Sequence, residues 1–201
     1  MTKIILATKN KGKVAELQGL LAPLDIEILS SADVGVTQEI EETGTTFLEN
    51  AMIKAKTVCE LTNLPAIADD SGLCVDALDG APSVFSARYA GECASDKDNN
   101  QKLLRELQGV STENRRAYFA CAIALFLPDG RHITSEGICN GYILENPKGE
   151  GGFGYDPLFY CPEFDKTFAE IPIKIKNEIS HRAIAVQKFV EKLKKEEYRT
   201  L

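Results

Sequence analysis

Two aspartates stand side by side in the run ADDSG, Asp69 and Asp70, at the end of an apolar stretch that reads as a strand. Adjacent carboxylates leaving such a strand repel each other and are costly unless a cation or water compensates them. A divalent metal would do so, since Mg²⁺ takes one or two carboxylates and completes its shell with water and phosphate oxygens. A second acid pair, Glu41 and Glu42 in IEETG, comes just before a helix. Glu41 and Asp70 therefore make a candidate metal pair if the fold brings them together. The competing reading of DDSG is an exposed Asp turn.

The segment LATKNKGKVAEL, residues 6–17, is a short apolar run, a polar loop with three lysines and the first turns of a helix. A nucleotide-binding loop of the Walker type needs glycines whose amides wrap phosphate and a Ser or Thr after its lysine. Here Ala7 occupies the first glycine position and Val14 follows Lys13, so a kinase or ATPase loop is disfavoured. Thr8, Asn10 and Lys13 nevertheless surround a helix N-terminus, where unpaired amides and the helix dipole favour an anion. A merely polar turn with solvated lysines is the plainer alternative.

Two later segments carry further chemistry. GGFGYDP, residues 151–157, suits close backbone approach to a ligand, and Phe153 and Tyr155 offer flat faces, Phe153 as a base-stacking surface. A tight turn with aromatics capping the core is equally compatible. KNEISHRA, residues 176–183, places Lys176, His181 and Arg182 at or just before the start of the last helix, where His or Arg can donate to a carbonyl or phosphate oxygen.

The elements that must position these groups alternate. Lys3 to Thr8 reads as a strand, and Val14, Leu17, Leu20 and Leu21 then recur at helical spacing up to Pro23. A strand from Ile26 to Leu29 follows. TTFLENAMIKAKTVCELTNL is an amphipathic helix with Phe47, Ala51, Ala55 and Val58 on one face, Lys54 and Lys56 close by, and Pro65 as its stop. Residues 66–78 read as a strand broken by a polar turn at Asp69 to Gly72. SDKDNNQKLLRELQG is a third helix, capped by Ser95 or Asp96 and stopped at Gly109. YFACAIALFLPDGRHITSEGI predicts a long hairpin in mid-sheet, and residues 178–197 a last helix with Ile179, Ala183, Val186, Val190 and Leu193 inward. The class is α/β with a mixed sheet.

Composition narrows the partners. A net charge of -7 argues against nucleic acid as the main partner, because such binders usually present a basic face. Ile4 to Ala7 is too short an apolar run for a signal peptide or membrane span, so no membrane partner and a cytoplasmic location are expected. The six cysteines form no CxxC pair and read as reduced structural thiols, with a disulfide as the weaker reading.

Taken together, ATKNKGKVAEL, EETGTTFLENAMIKA, PAIADDSGLCVDALDGAPSVFSARYAG, GGFGYDPLF and ISHRA, in that order, resemble the inosine-triphosphate pyrophosphatases almost end to end. Lys9 departs from the pattern, standing where relatives often have a small residue. The resemblance implies an elongated mixed β-sheet with flanking helices, two lobes around a central nucleotide cleft, within a single domain over residues 1–201. It implies Mg²⁺ as cofactor, a purine nucleoside triphosphate as small-molecule partner and a homodimer. By carry-over, Thr8, Lys9, Asn10, Lys11, Gly12 and Lys13 hold phosphate, Glu41 and Asp70 bind metal, and Asp70 is the general base. Ser71 and Lys176 contact substrate, Phe153, Gly154, Tyr155 and Asp156 line the base pocket, and His181 and Arg182 read the base. Apart from the carry-over, Lys54 is read as a further phosphate ligand.

The implied reaction is hydrolysis of non-standard purine nucleoside triphosphates such as ITP, dITP and XTP to monophosphate and pyrophosphate. Charge develops on the leaving pyrophosphate, which lysines and Mg²⁺ stabilise while a carboxylate activates water. Donors at His181 and Arg182 match a 6-oxo acceptor and oppose the 6-amino donor of adenine. The rival readings are a Maf-like pyrophosphatase for other modified nucleotides and a non-catalytic nucleotide-binding module.

Overall fold

The structure, a computed structural model, describes residues 2–8, 10–22 and 26–194. Strand β1 (Thr2–Leu6) leads into α1 (Lys11–Leu21), and β2 (Ile26–Ser30) returns parallel to β1. Asn10 caps α1, its side chain accepting from the Lys13 N–H, which satisfies one of the amides a helix start leaves open. Pro23, expected to stop this helix, lies outside the described residues.

Helix α2 (Phe47–Thr62) begins with a reciprocal cap: Thr46 accepts from the Glu49 N–H and Glu49 accepts from the backbone of Thr46. It ends before Pro65, at Asn63, which takes the left-handed conformation. Inward, Ala51, Ala55 and Val58 are buried as the periodicity predicts, but so is Lys54, whereas Lys56 is exposed and pairs with Glu60.

Strand β3 (Ala66–Val75) corrects one expectation: it is continuous, with no turn at Asp69 to Gly72. Both aspartates are buried inside it, at 0% and 6% exposure, because cations from other segments neutralise them where the sequence alone showed uncompensated charge. After β3 come α3 (Asp96–Glu106), capped reciprocally by Ser95 and Asp98, and the hairpin strands β4 (Arg116–Phe126) and β5 (His132–Ile143). The short strands β6 (Phe159–Cys161) and β7 (Lys166–Thr167) follow, paired antiparallel. Among the described residues the sheet has seven strands in the order β2-β1-β3-β4-β5-β6-β7, mixed in direction and flanked by helices.

The last helix is a second correction. A short α4 (Ile173–Ile179) precedes α5 (His181–Leu193), and extended backbone at Ser180 separates them. Ile179 therefore belongs to α4, and Lys176 sits within α4 and not ahead of it. Residues 195–197, expected at the end of this helix, lie outside the described residues.

The chain divides into two compact units. One holds residues 1–70, 121–137 and 182–201, the other 71–120 and 138–181. In the first, Leu6, Leu17, Ile67, Ile123, Val186 and Phe189 form one apolar cluster, and Ala51, Ala55, Val58, Ala66 and Ala122 another. In the second, Leu73, Leu103, Phe119, Phe159 and Phe168 form the centre. All six cysteines are free thiols, and burial pushes that of Cys121 up to about 12. Among the described residues no helix is long and apolar enough to cross a membrane.

Candidate active site

Asp69 and Asp70 point opposite ways along β3, as neighbours in a strand must, and each meets its own cations in the first unit. Asp69 Oδ2 receives Lys13 Nζ at 3.3 Å and Arg182 Nη2 at 3.1 Å. The other arm of Arg182 donates to Glu16, so two cations and two carboxylates interlock there. Burial alone would raise the Asp69 pKa, but Lys13 and Arg182 outweigh it and hold the carboxyl well below its ordinary range.

Asp70 has a different company. Lys54 Nζ donates to its Oδ1 at 2.9 Å and reaches Glu42 Oε1 at 3.1 Å, while Asn50 Nδ2 donates to its Oδ2 at 3.3 Å. Burial raises the Asp70 pKa from its ordinary value against the lowering pull of Lys54 and Lys13. Burial works to lower the Lys54 pKa, yet the carboxylates of Asp70, Asp69 and Glu42 leave it raised. Glu42 is the member of the IEETG pair that reaches Lys54, while Glu41 is exposed. Asp70 and Glu42, which share Lys54, offer carboxylate oxygens, the ligand type that suits a hard cation such as Mg²⁺. No group of three or more His, Cys, Asp or Glu side chains able to cage an ion stands among the described residues.

The lysine loop lies at the start of α1 in the same unit. Thr8 Oγ1 accepts from the Asn10 N–H at 3.3 Å, and Asn10 caps the helix, leaving Lys13 one turn in. Gly12 and the backbone of Lys11 form the first turn. Lys9 lies outside the described residues.

In the second unit the loop around residue 153 is built on Asp156. Its Oδ2 accepts from the Phe153 N–H at 2.9 Å and from Lys176 Nζ at 2.6 Å. Gly152 has φ +74, and a Cβ there would run into that same carboxylate oxygen, so only glycine lets the loop close over Asp156. Gly154 is tied by its N–H to Asp96 at 2.7 Å and by its carbonyl to Asn100 at 2.9 Å. Lys176 Nζ lies 5.1 Å from the Phe153 ring centre, a cation–π contact that orients the ring. Tyr155 is turned into the core, its hydroxyl donating to the Ser86 carbonyl at 2.8 Å, and burial raises its pKa. His181 is buried and stacks on Phe119, rings 4.7 Å apart at 13°. Ser71 is half-buried just beyond Asp70.

The structure thus gathers Lys13, Asp69 and Arg182, then Lys54, Asp70 and Glu42, in the first unit, and Phe153, Asp156 and Lys176 in the second. Sequence reasoning missed Glu16 and Asn50. Glu16 carries a visible signal: it lies three residues after Lys13 and four before Leu20, on the inward sector of α1. Asn50 sits four residues before Lys54, which places the two side chains on one face of α2.

Known proteins match nearly the whole chain. The Ham1 family pattern matches residues 4–192. A protein of Desulforamulus reducens named dITP/XTP pyrophosphatase is 53% identical over 189 residues, 94% of each chain. One of Halalkalibacterium halodurans with the same name is 52% identical over 187 residues, 93% of this chain and 96% of that one. The solved structure of a HAM1 protein from Coxiella burnetii superposes with a TM-score of 0.88 at 44% identity, covering 96% of this chain and 98% of the other. The chain belongs to the Ham1 family.

Proposed function

We propose that this chain hydrolyses dITP, ITP and XTP to the nucleoside monophosphate and pyrophosphate, by attack of water at the α-phosphorus. The shared name of its relatives supports the substrate class. The observation that carries the chemistry is Asp70, a buried carboxylate held at both oxygens by Lys54 and Asn50. Burial makes it a better proton acceptor than an exposed carboxylate, so it orients and deprotonates the attacking water. Lys13 and Lys54 stand where cations can balance charge on the triphosphate, and Thr8, Asn10, Lys11 and Gly12 bring the start of α1 to the same phosphates. Lys9 stands in the same loop, at the position where this sequence departs from the family pattern.

Asp70 with Glu41 or its neighbour Glu42 would hold Mg²⁺, which when bound neutralises phosphate oxygens and so favours attack by water. Ser71 and Lys176 contact the substrate, and Phe153 offers its face to the purine within the Phe153–Asp156 loop. His181 donates to the 6-oxo group that adenine lacks. Arg182 joins it on giving up one of its contacts to Asp69 or Glu16. A homodimer working in the cytoplasm as one catalytic domain completes the reading. A nucleotide panel with Mg²⁺ tests it, with pyrophosphate, orthophosphate and monophosphate each quantified.

A further inference from the structure

Asn50 is an uncharged side chain at 1% exposure whose amide is committed at both ends. Its Oδ1 accepts from the Gly44 N–H at 2.8 Å, and its Nδ2 donates to Asp70 Oδ2 at 3.3 Å. This orientation is forced: turned over, the amide would set donor against donor at Gly44 and acceptor against acceptor at Asp70. Gly44 follows Glu41 and Glu42 in the same loop. A Cβ at Gly44 would lie 2.6 Å from Asn50 Oδ1, so the loop can approach this closely only through glycine. Lys54 holds the opposite oxygen of Asp70, which leaves that carboxylate no free rotation.

We propose that Asn50 is a positioning residue, a neutral clamp that ties the plane of the Asp70 carboxylate to the loop bearing Glu41 and Glu42, so that turnover depends on it although it touches no reacting atom. The inference rests on the pyrophosphatase reading and on the role of Asp70 within it. A neutral donor suits the task, because an amide fixes the direction of the carboxylate without adding charge.

The test compares Asn50→Ala, Asn50→Asp and Gly44→Ala with the unaltered protein and Asp70→Asn, using dITP and Mg²⁺, with rates expressed per folded molecule from melting curves. Asn50→Asp keeps the acceptor for Gly44 but replaces the donor facing Asp70 with an acceptor that carries charge, so it breaks the second contact and adds repulsion. Misplacing a reacting group by about 1 Å costs about 10²-fold, so kcat is expected to fall about 10- to 100-fold in both Asn50 variants. KM should stay within about threefold, the mark of an interaction that matters chiefly in the transition state. Gly44→Ala should also lower kcat, since its added methyl would press on the Asn50 amide as well as on Glu49 Cβ and so disturb the clamp. Normal kcat in both Asn50 variants would overturn the proposal. If the unaltered protein releases pyrophosphate and Asp70→Asn does not, such a result sinks the clamp alone. If the unaltered protein releases none, the pyrophosphatase reading falls and the clamp with it.

Discussion

Arg182 and Asp69, 113 positions apart in the chain, meet as a buried ion pair with Nη2 and Oδ2 3.1 Å apart. Lys13 shares the aspartate and Glu16 the arginine, so the start of α5, the middle of β3 and the first turns of α1 are held by one charge network. Such a network is held by mutual compensation. Removing one partner leaves the others buried and unneutralised.

Arg182→Met should therefore destabilise the fold by about 3–5 kcal/mol, the usual consequence of breaking a buried pair from one side. Urea unfolding followed by circular dichroism measures it. Arg182→Lys should recover only part of the loss, because an ammonium cannot reproduce the two-armed contact to Asp69 and Glu16. Equal midpoints for the methionine variant and the unaltered protein would show that the network contributes little.

Asp70→Asn should leave the fold intact while lowering turnover of dITP by about 10²-fold or more, since it removes the proposed base and a metal ligand. The amide keeps the shape of the side chain, and Lys54 keeps its contact with Glu42 at 3.1 Å. Circular dichroism and a pyrophosphate-release assay on the same sample separate the two effects. Near-normal turnover would exclude Asp70 as the base.

The cap of α2 carries a pH signature. Glu49 accepts from the Thr45 backbone and hydroxyl and from the Thr46 N–H, and these bonds lower its pKa from 4.5. A depressed carboxylate contributes stability above its unfolded pKa and loses it as pH falls through the lower folded value. Glu49→Ala should accordingly melt below the unaltered protein at pH 7, and the gap should narrow as pH drops below about 4.3. A gap that stayed constant from pH 7 to pH 3 would show that the charge of Glu49 does not act in the cap.

Much of this was legible because local signals agreed. Ser95 announced a helix start through its side chain, and the PDG turn announced the hairpin. The continuity of β3 was not legible, since ADDSG breaks a strand unless cations arrive from elsewhere, and Lys13, Lys54 and Arg182 come from three other segments. Lys54 and Lys56 look alike in sequence, yet one turns inward to Asp70 and the other outward to Glu60, a difference set by tertiary packing. The break at Ser180 escaped notice because apolar periodicity runs on through it, while Ile179 and Val186 pack into different cores. In the site, Glu16 and Asn50 belong to no motif, and only their contacts, Glu16 to Arg182 and Asn50 to Gly44 and Asp70, mark them.

Hydrolysis of dITP in ¹⁸O-enriched water with Mg²⁺, followed by mass spectrometry of both products, tests most directly whether this constellation directs water to the α-phosphorus. The account predicts the label in the monophosphate and unlabelled pyrophosphate as the first phosphate product. Label in pyrophosphate, or orthophosphate released first, would contradict it.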